Sequence, residues 1–463
     1  MSDGGWKDLL AEGRLARFAL ICLGVWLNAA DALVTATIMP SVAADIGGDA
    51  YFGWAIATFL LGAIVAGASG GVVSRRLGLR VALIGGGLVY SAGCALGAAS
   101  PEVVSFLLGR LLQGLGAGWV VGLLYVAVGV VFPERHWAKV FAATTSVWGV
   151  ATLLGPLVGG LFAGAGLWRW AFWLFAIQGL IFCAIAWRLL RGAPRGEAES
   201  GLALRQLAIL AVAVTVIAAG GLVEGAGLAL ALVAAGTALL FLMLWVDRRS
   251  DPRLLPADAS RWGNAASAGY LTMFTLTAAA IGWTVYGAAL LQAFYGLSPL
   301  EAGYVVAGEA LGWTAAALPI AGLADRWHGL FIRLGAALVS VGLLVIAFGL
   351  PTGRLWIVVA GSLTLGAGFG CAWAFATRRI LGSLPEAERG LGSSAVPATQ
   401  QIGNAAGAAA VGAVGAVLGL SQGIDAAVAA RASPWLFTAF LPLALIGLWA
   451  AHRLASHTGG EGD

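Results

Sequence analysis

Arg110 stands in LLGRLLQGLGAGWVVG, residues 107–122, with no other charge among its neighbours. A guanidinium at the centre of a bilayer costs roughly 2.5–3.5 kcal/mol on insertion scales, so it must pair or face water. Two acids sit in equally apolar surroundings: Asp31 in DALVTATIMPSV and Glu309 in GYVVAGEALGWTAA. Groups of this kind suit reversible ion pairing and proton binding. Helical spacing puts Asn28, Asp31 and Thr35 on one face and Arg110, Gln113 and Gly114 on another. These are polar stripes on otherwise apolar helices. At about 1.5 Å of rise per residue, Asp31 and Arg110 both lie about 10–13 Å below one membrane surface, which makes Asp31 the first candidate partner for Arg110. A carboxylate binds protons differently when paired with a cation than when alone in apolar surroundings. A pair that is broken and remade would take up and release a proton. A permanent pair would only hold two helices together.

Glu309 has no basic residue in its own helix. Trp313 follows one turn later on the same face, so an organic cation would find charge pairing and cation–π attraction together. The other readings of Glu309 are a proton carrier, or a protonated acid hydrogen-bonded to a neighbouring helix. Trp283, Tyr286 and Trp373 also lie well inside apolar runs, as do Gln292, Gln400, Gln401 and Asn404. Asn28, Gln113, Trp283, Tyr286, Gln292, Trp313, Trp373 and Gln401 are the candidate substrate-binding residues. Trp168, Trp170 and Trp356 read as members of an interfacial aromatic belt.

Positioning these groups takes an unusual chain. Of its 463 residues, 60% are hydrophobic and 10% charged, against about 25% charged in a soluble domain. That predicts an all-α, polytopic membrane protein. A spanning helix needs about 20 apolar residues. Runs of that kind fall at 18–43, 52–74, 81–99, 103–132, 138–164, 170–190, 204–222, 227–246, 264–294, 300–323, 331–350, 355–378, 391–419 and 433–452. The polar stretches LLRGAPRGEAESGLAL (189–204) and VDRRSDPRLLPADASR (246–261) bracket the seventh and eighth. The expected division is a six-helix bundle over 1–191, a linker and two-helix insert over 192–262, and a second six-helix bundle with a short tail over 263–463.

Of the 26 Lys and Arg residues, 22 fall on one side of this arrangement, 3 on the other, and Arg110 within it. Basic residues accumulate on the cytoplasmic side, so both termini are expected there, in the cell (inner) membrane. The basic residues sit in loops, so the net charge of +4 gives no nucleic-acid signal. The four cysteines lie in apolar runs without disulfide or zinc spacing, and the four histidines lie at loops or the tail. No phosphate-cradling loop is present, and GLGAG follows no strand, so neither ATP, a dinucleotide nor a metal is expected.

The halves echo each other. GGVVSRRLGLR (70–80) follows the second run and AGLADRWHGLFIR (321–333) the tenth. Gly71, Arg76 and Gly78 match Gly322, Arg326 and Gly329, with the glycines equally spaced and the arginine offset by one residue. Parallel halves with weak internal repeats are a transporter architecture; the alternative is two ordinary basic turns.

At this point the chain resembles the major facilitator superfamily over nearly all of its length. GLADRWHG is similar to that superfamily's loop motif, GRLLQGLGAG (109–118) to its fourth-helix motif, and ATLLGPLVGGLF (151–162) to the fifth-helix motif of antiporters. DALVTATIMPSVAADIGG (31–48) and LWRWAFWLFAIQG (167–179) resemble the first- and sixth-helix motifs of the fourteen-helix drug:proton antiporters. Arg75 stands where the resemblance implies an acid, and Ala151 where it implies a glycine. The resemblance implies two six-helix bundles with a two-helix insert, 14 transmembrane helices in all. It implies a monomeric, proton-coupled secondary transporter that exports hydrophobic small molecules, cations among them, by alternating access. Asp31, Glu309 and Arg110 would couple protons or cations. Gly71, Arg76, Gly78, Asp325 and Arg326 would be gate elements. Gly155, Pro156, Gly159 and Gly160 would close the inner mouth against leak. The expected partners are the lipid bilayer, a small-molecule substrate and protons. The alternative within the superfamily is an exporter or importer of metabolites or lipids. Outside it stands a non-transporting sensor or membrane enzyme, and no catalytic constellation supports an enzyme.

Overall fold

The computed structural model describes residues 14–132, 134–191, 201, 203–223, 225–261 and 263–457. Among them every regular element is helical. The α-helices are α1 (Arg14–Ile46), α2 (Phe52–Leu77), α3 (Leu79–Ala99), α4 (Val103–Val131), α5 (Glu134–Gly164), α6 (Trp168–Leu189), α7 (Leu204–Ala219) and α8 (Ala226–Asp247). They continue as α9 (Ala265–Tyr295), α10 (Pro299–Ile320), α11 (Asp325–Gly349), α12 (Leu355–Gly382), α13 (Arg389–Val417), α14 (Ala426–Thr438) and α15 (Leu441–Ser456).

Among the described residues eleven stretches are long and apolar enough to cross a membrane, with α14 and α15 counted as the single stretch Ala426–Ser456. The other three complete the fourteen and fall short for visible reasons. α7 has only 16 residues, α10 carries Glu301 and Glu309, and α13 carries Thr399, Gln400, Gln401 and Asn404.

The ends follow local chemistry. Asn264 caps α9 by accepting the Ser267 N–H at 2.8 Å. Ser298 and Glu301 form a reciprocal capping box at the start of α10. Several boundaries depart from the hydropathy reading. The last span starts at Ala426 because Asp425 caps it, accepting the Val428 N–H at 2.7 Å. It is then interrupted at Ala439–Phe440, just ahead of Pro442, which has no N–H to continue the ladder. α11 begins at Asp325, so the second loop motif lies in its first turn. α7 stops at Ala219, where Gly220 and Gly221 follow.

The chain forms two compact units: Met1–Gly47 with Thr58–Leu202, and Gly48–Ala57 with Ala203–Asp463. In the first, α3 packs along α4 and α6, and α1 along α5. In the second, α12 packs along α10 and α11, and α9 packs on α13 and α15. α7 and α8 pack on each other and on α13. The Trp54 indole N–H donates to the Ala218 carbonyl at the end of α7 (2.9 Å). Asp247, buried at the end of α8, accepts the backbone N–H groups of Leu254 (2.7 Å) and Leu255 (3.1 Å), and Gln206 Nε2 donates to it at 3.3 Å.

Candidate functional site

In the first unit Asp31 and Arg110 form an ion pair, Nη1 to Oδ2, at 3.0 Å. Gln113 Nε2 donates to Asp31 Oδ1 at 2.6 Å, and Arg110 Nη1 donates to Gln113 Oε1 at 2.7 Å. Thr35 Oγ1 adds a long contact to Oδ1 at 3.5 Å. The four side chains are buried, with Asp31 and Gln113 at 0% exposure. The guanidinium lies 4.4 Å from the Phe59 ring centroid, with its positive charge against a π-face. A charge pair removed from water is tolerable only when the remaining polar atoms are satisfied, and this ring of contacts does that.

Glycines of α4 make the geometry possible. A Cβ at Gly114 would overlap the backbone of Phe59 in α2, and one at Gly116 the backbone of Tyr90 in α3. Gly62 and Gly93 meet α4 from those two helices in the same way. Backbones therefore touch on two sides of α4, and Arg110 and Gln113 extend to α1. Tyr90 donates its hydroxyl to the Leu27 carbonyl at 3.1 Å, one turn before Asp31, and so fixes α1 to α3. Gly155 and Gly159 of α5 meet α1 on another side, at Leu33 and at Val34 and Thr37, while Pro156 sits within an unbroken helix and Gly160 is buried.

In the second unit α10 and α12 touch backbone to backbone. A Cβ at Gly366 would overlap the Glu309 carbonyl, and one at Gly370 the Trp313 carbonyl. Glu309 is half-buried, and among the described residues nothing hydrogen-bonds to or pairs with its carboxyl group. One turn on, Trp313 stacks on Phe369 (centroids 5.3 Å apart, planes 14° apart) and lies 5.4 Å from Trp373. The acid therefore lies one helical turn from a cluster of three aromatic rings.

The other expected substrate contacts are dispersed. Trp283 is fully enclosed; its indole N–H donates to Ser362 Oγ at 3.0 Å, and that hydroxyl donates to the Val305 carbonyl at 2.9 Å. Tyr286 is equally enclosed and stacks on Phe52 at 5.4 Å. Both hold helices together here. Gln113 likewise belongs to the charge network. Asn28, Gln292 and Gln401 are half-buried, and the Gln292 amide nitrogen is buried without a hydrogen-bond partner among the described residues. Trp170 and Trp356 are exposed as belt residues should be, but Trp168 is not. It is buried and donates to Asp45 Oδ2 at 3.1 Å, beside the Arg169–Asp45 ion pair, because α6 turns it inward onto Phe106.

Of the gate candidates, Gly78 takes φ +83°, which a side chain rarely adopts, and forms the turn from α2 to α3; Arg76 is exposed. The surroundings of Gly71 and Arg75 lie outside the described residues, as does Glu224 in the turn between α7 and α8. Asp325 pairs with Arg378 at 3.3 Å; His328 Nε2 lies 3.7 Å from the same carboxylate oxygen, and His328 is buried with its ring stacked 4.3 Å from Phe375. Arg326 is exposed beside it. Arg379 donates to the Leu454 (3.1 Å) and Ala455 (2.7 Å) carbonyls, closing the end of α15. Sequence reading missed Tyr90, Phe59, Ser362, Phe369, Arg378 and Arg379. Only the paired arginines carried a signal, and it read as ordinary loop charge.

Fourteen spans, with ionisable groups held inside them, define a multi-pass helical membrane protein. The chain belongs to the Major Facilitator Superfamily, whose model matches residues 21–269. It is 32% identical to a probable multidrug-efflux transporter of Mycobacterium tuberculosis over 98% of this chain and 97% of that one. Solved structures agree on the fold. A peptide transporter in complex with sulfate is 19% identical with a TM-score of 0.68, covering 95% of each chain. A D-xylose-proton symporter is 17% identical with a TM-score of 0.64, covering 95% of this chain and 97% of that one.

Proposed function

We propose that this protein is a proton-coupled secondary transporter that exports hydrophobic small molecules, cations among them, and that it performs no covalent chemistry. The observation that carries the reading is the buried Asp31–Arg110–Gln113 network: a carboxylate whose surroundings change when one helix moves is a means of binding and releasing a proton. The multidrug-efflux name of the Mycobacterium tuberculosis relative supports the substrate class. Glu309 beside Trp313, Phe369 and Trp373 supplies charge and π-faces for a cationic substrate. In this reading the halves are 1–191 and 263–463 with the insert at 192–262, and the chain works as a monomer. Its termini face the cytoplasm, as the distribution of basic residues supports. The Asp325–Arg378 pair is a gate contact on that side, and Gly155, Pro156 and Gly159 keep α5 tight on α1 against leak.

The test uses purified protein in vesicles under an imposed pH gradient, reading uptake of a lipophilic cationic dye. Wild type should accumulate dye in proportion to the gradient, and Asp31→Asn, though folded, should not. Dye movement that ignores the gradient would leave a facilitator and end the antiport reading. Dye movement in Asp31→Asn equal to wild type would remove Asp31 from the mechanism.

A further inference from the structure

Two cavities adjoin in the second unit and share Leu418. One, of about 430 Å³, opens at the turn between α13 and α14, where Gln422, Asp425 and Arg431 line it. The other, of about 400 Å³, runs between α8, α13 and α14 over Val233, Ala413 and Trp435. Both volumes fall in the range of about 300–1,000 Å³ found for ligand clefts. The polar mouth therefore continues into an apolar groove on the surface of membrane-spanning helices, and one wall of that groove is the insert helix α8.

The mouth holds one charge of each sign. Asp425 Oδ1 accepts the Val428 N–H, and its second oxygen is in no hydrogen bond among the described residues. Among the described residues Arg431 spends only its Nε–H, on the Ala427 carbonyl at 3.4 Å. One turn further, Trp435 is 68% exposed, as suits an indole at the level of lipid headgroups. We propose that mouth and groove together bind one membrane phospholipid with a zwitterionic aminophosphate headgroup, of phosphatidylethanolamine chemistry. The phosphate meets Arg431, the ammonium meets Asp425, and an acyl chain lies in the groove. The insert then has a role: it supplies the wall that turns a polar notch into a lipid site. This goes beyond the export reading and does not depend on it.

The experiment is native mass spectrometry of the purified full chain with phosphatidylethanolamine, phosphatidylglycerol or inorganic phosphate at matched concentrations. Wild type should retain phosphatidylethanolamine above phosphatidylglycerol. Arg431→Gln should weaken both lipids by about tenfold, the loss of one charged hydrogen bond. Asp425→Asn still caps α14 and should erase only the preference between the lipids. Both side chains are exposed, so folding is not at stake. Val233→Phe should fill the groove and lower retention of both lipids. Equal retention of the two lipids by wild type, or retention untouched by all three variants, overturns the proposal. Phosphate held as firmly as lipid would make this a free-anion site, and a dimer released by lipid would make the groove a protein interface; either result overturns it too. No transport is measured, so this outcome and that of the dye assay are independent.

Discussion

Arg110 and Asp31 are paired as opposite charges in a buried site, so removing either one lowers stability. Arg110→Met leaves a buried carboxylate beside Gln113 with no counter-charge, a change that costs about 3–5 kcal/mol at comparable sites. Asp31→Asn combined with Arg110→Met removes both charges and should recover much of that stability. Thermal unfolding in detergent checks this: a double variant no more stable than Arg110→Met would show that the pair is not the source of the loss. The two residues were legible in the sequence because a charge inside an apolar run is conspicuous. Phe59 and Tyr90 were not, since aromatic residues are common in spans and only packing distinguishes the one beneath a guanidinium from the one facing lipid. Gln113 was legible as a neighbour of Arg110 on one helix face. That it also donates to Asp31 depends on how closely α1 approaches, which no spacing along the chain records.

Among the elements, α4 is fixed by contact of backbones on two sides. Gly114→Val would drive a branched side chain into the Phe59 carbonyl, an overpacking that costs about 1–3 kcal/mol or more. Its folded yield, read as the monodisperse peak in size-exclusion chromatography, should fall sharply. Gly67→Ala is the control, because its Cβ would come no nearer than 3.9 Å to any neighbour, and it should behave as wild type. Equal yields would mean that α2 and α4 are not held by their glycines. The 69 glycines announced close packing in general but not which of them face another backbone. The break between α14 and α15 was missed for a related reason: mean hydropathy runs smoothly through Ala439 and Phe440, and the interruption comes from the missing N–H of Pro442.

For the whole molecule, the span count was legible because hydrophobic length is a one-dimensional property. The packing of α7 and α8 was not, since it rests on contacts such as Trp54 to Ala218 and Gly220 to Ala413, and such residues look alike wherever they pack. The shortness of α7 bears on the surrounding solvent. With 16 residues it rises about 24 Å, while a typical hydrocarbon core is about 30 Å thick. Thinning of the membrane beside the insert is one way to meet it, at a fraction of a kcal/mol per ångström of mismatch. Bilayer thickness then enters the energetics of the working protein. Turnover should be faster in vesicles of myristoyl lipids than in those of longer oleoyl lipids, and lengthening α7 by one apolar turn should move the optimum toward the thicker membrane. A rate indifferent to chain length would mean that α7 never meets the acyl chains along its full height.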